Sequence, residues 1–246
     1  MNDTYSAFAE FYDRLMDDVD YTSVAKYYDG LIREHTASLG ILLDLACGTG
    51  TLSALLADKG WDVIAVDSSS EMLSKTTAHS RVSYICQDMN ELDLYGTIDA
   101  AVCSFDGLNH LTDQSALMNV LERVSLFMNP EGVFVFDVNT IHKHETILGQ
   151  NTFIKECDDV FCVWQNDYQG DGIVNITLDI FAENDEQYTR HTVEITETAY
   201  QLDTIHKLCK QSGFDVVGEY DFMTKNPGNE KSEKVVFVCK AQKKVV

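Results

Sequence analysis

Positive charge is what this sequence lacks most: 18 Lys and Arg stand against 40 Asp and Glu in 246 residues, a formal net charge of −22. A protein that tracks a phosphate backbone presents a basic patch. This composition leaves little for one, so nucleic acid is not the expected partner, and a small or cationic substrate or a protein partner fits better. Net charge also serves solubility regardless of function. Paired cysteine motifs are missing too. The seven cysteines show no C-x-x-C and no His/Cys ligand spacing, so no metal is expected. Cys47, Cys86, Cys103 and Cys239 sit in or beside apolar strand-like runs, where a free thiol acts as a small hydrophobe, as suits a reducing cytosol. The H-x-H of His142 and His144 lacks further ligands and reads as a solvated loop. No apolar run approaches the roughly 18 residues of a membrane span, and Met-Asn-Asp-Thr-Tyr at the start shows no basic segment followed by an apolar block. Neither a membrane anchor nor a signal peptide is expected, and the protein is expected in the cytoplasm as a monomer or homodimer.

What is present is a βα rhythm. An aromatic-rich opening, Tyr5 to Thr36, has Val24, Tyr27, Tyr28, Leu31 and Ile32 at helical spacing. Then come a strand at 41–46, a helix at 51–59, a strand at 61–67 and a helix that starts at the capping box Ser68-x-x-Glu71 and runs to about His79. Strands at 82–86, 98–104 and 132–138 and a helix at 114–128 follow. From Thr152 to Glu197 the period changes to two, with turns at 169–172 and 184–186, as in an antiparallel meander. A second capping box, Thr198-x-x-Gln201, restarts a helix that Gly213 stops, and strands at 214–223 and 234–241 close the chain. The pattern predicts a Rossmann-like α/β fold: a seven-stranded, mostly parallel sheet with helices on both faces, interrupted by a β meander. The domain bounds are 1–150 with 198–246, and 151–197 for the insertion.

The run Leu42-Leu43-Asp44-Leu45-Ala46-Cys47-Gly48-Thr49-Gly50 leads an apolar strand through a glycine-bracketed turn into a helix. Two glycines around one residue allow a ligand closer to the backbone than any Cβ would, and the helix points its free N–H groups at the same place. A dinucleotide fingerprint would need a third glycine where Ser53 stands. It would need neither Asp44 inside the first strand nor Gln87-Asp88-Met89 after the third. Open α/β sheets bind ligands at the carboxyl ends of their strands, where the turn at 47–50, Asp67, Asp88 and Ser104–His110 would gather. The meander leaves from the same edge and is expected to cover it.

In four segments, D-L-A-C-G-T-G (44–50), A-V-D-S-S-S-E-M-L (65–73), Q-D-M (87–89) and A-V-C-S-F-D-G-L-N-H-L (101–111), the chain resembles the class I S-adenosylmethionine-dependent methyltransferases. The resemblance implies S-adenosylmethionine as cofactor and methyl transfer to N, O or S of a small molecule. A tRNA or protein substrate, or a cofactor-binding protein without catalysis, remains open. It implies that Gly48 and Gly50 let the turn approach the cofactor's amino-acid end and that Ala46, Thr49 and Ser104 also bind the cofactor, with Asp44 anchoring the turn or, through water, the ligand's ammonium. The alternative for Asp44 is a plain edge-strand acid. Asp67 would take both ribose hydroxyls. Asp88 would accept from the adenine amino group, with Met89 beside it and Met72 on the ring, although Met72 fits helix core equally well. Of Tyr5, Tyr12 and Tyr21, Tyr12 is the best placed to face the sulfonium. Asp106 and His110, with Asn109, are the candidates on the acceptor side, His110 as a base. Arg190 and His191 are weaker ones.

Overall fold

The computed structural model describes residues 4–36, 39–157, 159–184 and 187–242. The side chain of Tyr5 and the turn residues Asp185 and Glu186 lie outside the described part. The opening forms two helices, α1 (Thr4–Leu15) and α2 (Tyr21–Arg33), instead of one continuous segment. Asp20 begins the second by accepting from the Ser23 amide at 3.0 Å, which satisfies a free donor of the first turn. Strands β1 (Ile41–Leu45), β2 (Asp62–Asp67), β3 (Val82–Cys86), β4 (Ile98–Cys103) and β5 (Met128–Asn139) alternate with α3 (Thr51–Asp58), the single turn α4 (Ser70–Leu73) and α5 (Gln114–Phe127).

The predicted helix to His79 stops at Leu73. Ser69, rather than Ser68, caps it, with its hydroxyl taking the Met72 amide at 3.1 Å. At the other end the Ser74 and Thr76 hydroxyls donate to the carbonyls of Glu71 and Leu73. Such local bonds compete with helix continuation.

After the meander come α6 (Leu202–Gln211), β10 (Phe214–Asp221) and β11 (Lys234–Ala241). The predicted cap Thr198 instead ends the last meander strand. The free amide of Leu202 is satisfied by Glu230, from a distant loop, at 3.0 Å. The sheet order is β10-β11-β5-β4-β1-β2-β3, and β11 runs antiparallel to both neighbours. β1 and β4 are adjacent at the centre, so the chain turns outward in opposite directions from them. That is the switch point at which such sheets open a crevice. One apolar cluster joins one sheet face to α5 and α6, and a second joins the other face to α2 and α3. Trp61 is fully buried in the second, its indole N–H on Asp29 at 2.9 Å.

The insertion is a four-stranded antiparallel sheet of β6 (Thr152–Cys157), β7 (Val160–Gly170), β8 (Ile173–Asn184) and β9 (Gln187–Thr198). Its inner face, with Cys162, Ile176, Ile180 and Val193, packs on Phe11 and Leu15 of α1 and on Leu148. Burying Phe11 and Leu15 stabilises this contact by about 1.5–3 kcal/mol each. The partner of the apolar face is thus an element of the same chain. Further along that face Trp164 is 37% exposed, edge-on to Phe153 and bonded to Asn166 at 2.8 Å.

Candidate active site

Beyond the carboxyl ends of β1 and β4 lies a cavity lined by Asp44, Ala46, Gly48, Thr49 and Ser104 among others, with Tyr12, Tyr21 and Phe105 on its far side. Asp44 stands on the central strand between Ala65 of β2 and Val102 of β4, which excludes the edge-strand alternative. It is 1% exposed and takes the Ser53 hydroxyl at 2.5 Å. Burial, with the Asp67 charge adding to it and Ser53 opposing, pushes its carboxyl up to about 7.

The turn after β1 is left-handed at Ala46, Gly48 and Gly50. The two glycines have different reasons. A Cβ on Gly50 would lie 2.6 Å from the Tyr84 ring, whereas one on Gly48 would meet no protein atom within 4 Å. Gly48 therefore opens onto space that protein does not fill. Its amide donates to one Asp67 oxygen at 2.8 Å, and the Ser69 amide donates to the other at 2.8 Å. A carboxylate has about four acceptor positions, so Asp67 is held in place with lone pairs to spare. This donor set fits S-adenosylmethionine: a backbone cradle without Cβ, an unneutralised buried acid for an ammonium, and a fixed acid for a diol.

Asp67 lies outside the cavity lining, as do Gly50, Met72, Asp88 and Met89. Asp88 is exposed at the end of β3. One of its oxygens caps a short turn by accepting from the Asn90 amide at 2.8 Å. Met72 is 5% exposed, while Met89 packs against the first apolar cluster.

The roof is α1. Asp13 accepts from the Thr49 hydroxyl at 2.7 Å, and the next residue, Arg14, pairs with Asp159 of the inserted sheet at 2.7 Å. The Tyr12 and Tyr21 hydroxyls interact. Burial first, and then the Tyr21 neighbour, raise Tyr12 well above the usual tyrosine range, so both remain neutral phenols.

The acceptor-side candidates are placed differently from expectation. Phe105 and Asp106 are both left-handed, and their amides donate to Asp137 at 2.9 and 3.3 Å. Asp137 is fully buried and also takes the Tyr28 hydroxyl at 2.5 Å and the Lys234 ammonium at 3.1 Å. Lys234 lies 2.6 Å from Asp106. Burial opposes ionisation of Asp106, but Lys234, with Lys143 and His110, holds it far below the usual carboxylate range. Neither Asp106 nor the exposed His110 lines the cavity. Asn109 is spent on backbone, donating to the Thr198 carbonyl and accepting from the Asn139 amide, both at 2.9 Å. Arg190 binds Asp179 on the outer face of the insertion at 2.7 Å, and the His191 ring packs on Phe11. His144, expected in a solvated loop, is fully buried. Sequence reasoning missed Asp13, Tyr28, Asp137 and Lys234. The signal for the last two was a charge at each end of adjoining apolar strands.

The methyltransferase-domain family model matches residues 42–132. The crystal structure of an S-adenosylmethionine-dependent methyltransferase from Clostridium acetobutylicum ATCC 824 is 30% identical, with a TM-score of 0.85 over 96% of this chain and 98% of that one. A glycine/sarcosine N-methyltransferase of Halorhodospira halochloris is 31% identical over 52% of this chain and 51% of its own. A dTDP-3-amino-3,6-dideoxy-alpha-D-glucopyranose N,N-dimethyltransferase of Streptomyces fradiae is 32% identical over 48% and 47%. The chain belongs to the class I S-adenosylmethionine-dependent methyltransferases. It is an enzyme of that class, with S-adenosylmethionine as its cofactor.

Proposed function

We propose that this enzyme methylates a nitrogen of a small molecule, and that the residues around the glycine turn hold the cofactor. The carrying observation is Gly48, left-handed and open where protein atoms could have packed. In this reading Ala46, Gly48, Thr49, Gly50 and Ser104 form the cradle for the amino-acid half, and Asp44 faces its ammonium. Asp67 binds the ribose hydroxyls, Asp88 and Met89 the adenine edge, and Met72 backs the ring from the helix core. S-adenosylmethionine supplies a methyl group already activated on a sulfonium. The chain's own contribution is position: Tyr12, Tyr21 and Phe105 wall the far side of the cavity with aromatic faces, which attract a cation. They also keep water away from the place of transfer. The inserted sheet, 151–197, acts as a lid on the acceptor side, held through α1. Nitrogen is favoured because the two relatives of stated substrate share an amine and differ in what carries it. The seven free cysteines suit a reducing cytoplasm.

Calorimetric titration with S-adenosylhomocysteine tests the cradle. Asp67→Ala removes hydrogen bonds to a charged acceptor, each about 1.5–3 kcal/mol, so affinity falls about ten-fold or more while the fold persists. Unchanged affinity in a folded variant refutes the assignment.

A further inference from the structure

A cluster of buried polar side chains lies where β9 meets the end of β5, outside the roles assigned above. Glu197, 6% exposed, follows Val193 and Ile195 on the inner face of the lid. Its Oε2 accepts from Asn139 Nδ2 at 3.2 Å and lies 3.5 Å from His144 Nε2. Lys143 donates to Asn139 Oδ1 at 2.8 Å, which turns the amide NH₂ toward Glu197. His144 Nδ1 lies 2.8 Å from the Gly172 carbonyl. A carbonyl only accepts, so the ring proton belongs on Nδ1, and in a neutral ring Nε2 is then an acceptor aimed at another acceptor. His144 Nε2 and Thr198 Oγ1 are buried without a hydrogen-bond partner. Both of these contacts of Glu197 fall on Oε2. With a neutral His144 ring, Glu197 has one N–H donor, Asn139 Nδ2, and no cation on it, since the Lys143 ammonium is turned to Asn139 Oδ1.

The cluster borders the cavity, with none of its side chains among the residues that line it. Phe136 of β5 pairs with Cys103 of β4, so Asn139 extends past the edge where Ser104 and Phe105 line the cavity. Asn109 ties Asn139 and Thr198 to that same turn.

We propose that Glu197 recognises the nitrogen to be methylated, taken up as a protonated primary or secondary amine. The proposal rests on the nitrogen reading above. An ammonium brings the donors that the cluster lacks and the charge a buried carboxylate requires. An alcohol or thiol brings neither in full. The ammonium must lose one proton before it can react. An N–H bond breaks, its electron pair stays on nitrogen, and the proton bonds to Glu197 Oε1, from which it passes to solvent when the product leaves. The net charge of −22 favours arrival of cations.

The test uses methylammonium as probe on the protein saturated with S-adenosylhomocysteine, with methanol as the neutral control, both titrated by NMR. Wild type is expected to bind methylammonium in preference to methanol. Glu197→Gln keeps the side-chain shape and is expected to bind S-adenosylhomocysteine within about two-fold of wild type, as for an independent site. Its methylammonium affinity is expected to fall by about ten-fold or more, the effect of losing a charge-assisted bond. A residue that merely fastens the lid would lower the melting temperature and leave methylammonium binding unchanged, which overturns the proposal. So does a wild-type complex that ignores methylammonium or takes methanol equally well, a comparison that needs no variant to fold. Failure of wild type to bind S-adenosylhomocysteine at all is a different result, and it overturns the cofactor reading and this proposal together.

Discussion

The turns after β1 and β4 face one cavity, both forced into left-handed backbone, and each is held by a carboxylate from the neighbouring strand. After β1, Asp67 accepts two amides, and glycine keeps the surface bare. After β4, the left-handed residues are Phe105 and Asp106, for which such dihedrals cost about 1–2 kcal/mol each. There Asp137 collects four donors, one of them the Lys234 ammonium. The first turn leaves its backbone open at Gly48, as the proposed cofactor cradle requires. The second is locked from behind so that its side chains form a wall. A buried ion network suits the wall and would obstruct the cradle.

Substitutions can break the contrast from either side. Gly48→Val has the largest expected effect on cofactor binding. Its side chain fills the ligand's approach and meets the left-handed penalty of about 1–2 kcal/mol, so S-adenosylhomocysteine affinity falls about 100-fold or more. The readout is loss of the ligand-dependent rise in melting temperature. Gly50→Ala sharpens the point: its Cβ would strike the Tyr84 ring, so the ligand-free protein itself melts earlier. Next comes Asp137→Asn, which leaves Lys234 and Asp106 with a broken buried network. It should cost about 3–5 kcal/mol in urea unfolding, against about 1 kcal/mol for Tyr28→Phe, which removes one hydrogen bond.

The most gradual effect is a pH slope. The Asp44 carboxyl is raised from 3.8 to about 7, so the folded state binds the extra proton. Its contribution is complete below the unfolded value and is lost as pH climbs from about 4 through about 7, at about 1.4 kcal/mol per pH unit. Asp44→Asn should flatten that stretch of the stability curve in the ligand-free protein. An identical slope in the variant removes Asp44 as its source.

The sheet, its order of strands and helices, and the glycine turn were legible in the sequence because each rests on local pattern. Apolar runs give strands, and a left-handed turn before a helix needs glycine. The meander's turn at 169–172 was readable for the same reason. Where hydroxyl residues offered rival local bonds, reading failed: Ser74 and Thr76 cut α4 short, and Thr198 did not cap α6. The acceptor side was illegible for a different reason. Asp137 meets Lys234 through the pairing of β5 with β11, and Glu197 meets His144 across the length of the insertion, and no spacing rule encodes either. Asp106 looked catalytic at its position after β4, but its partner Lys234 stands far away in sequence.

The chain has only two tryptophans, and the fold divides them between its two parts. Trp61 is sealed in the core with its N–H on Asp29, while Trp164 sits partly exposed on the inner face of the inserted sheet. Ultraviolet emission from this protein is therefore a two-colour signal without any label. The sealed indole supplies a constant blue reference, and the solvent-facing one emits further to the red and shifts whenever the surroundings of the inserted sheet change.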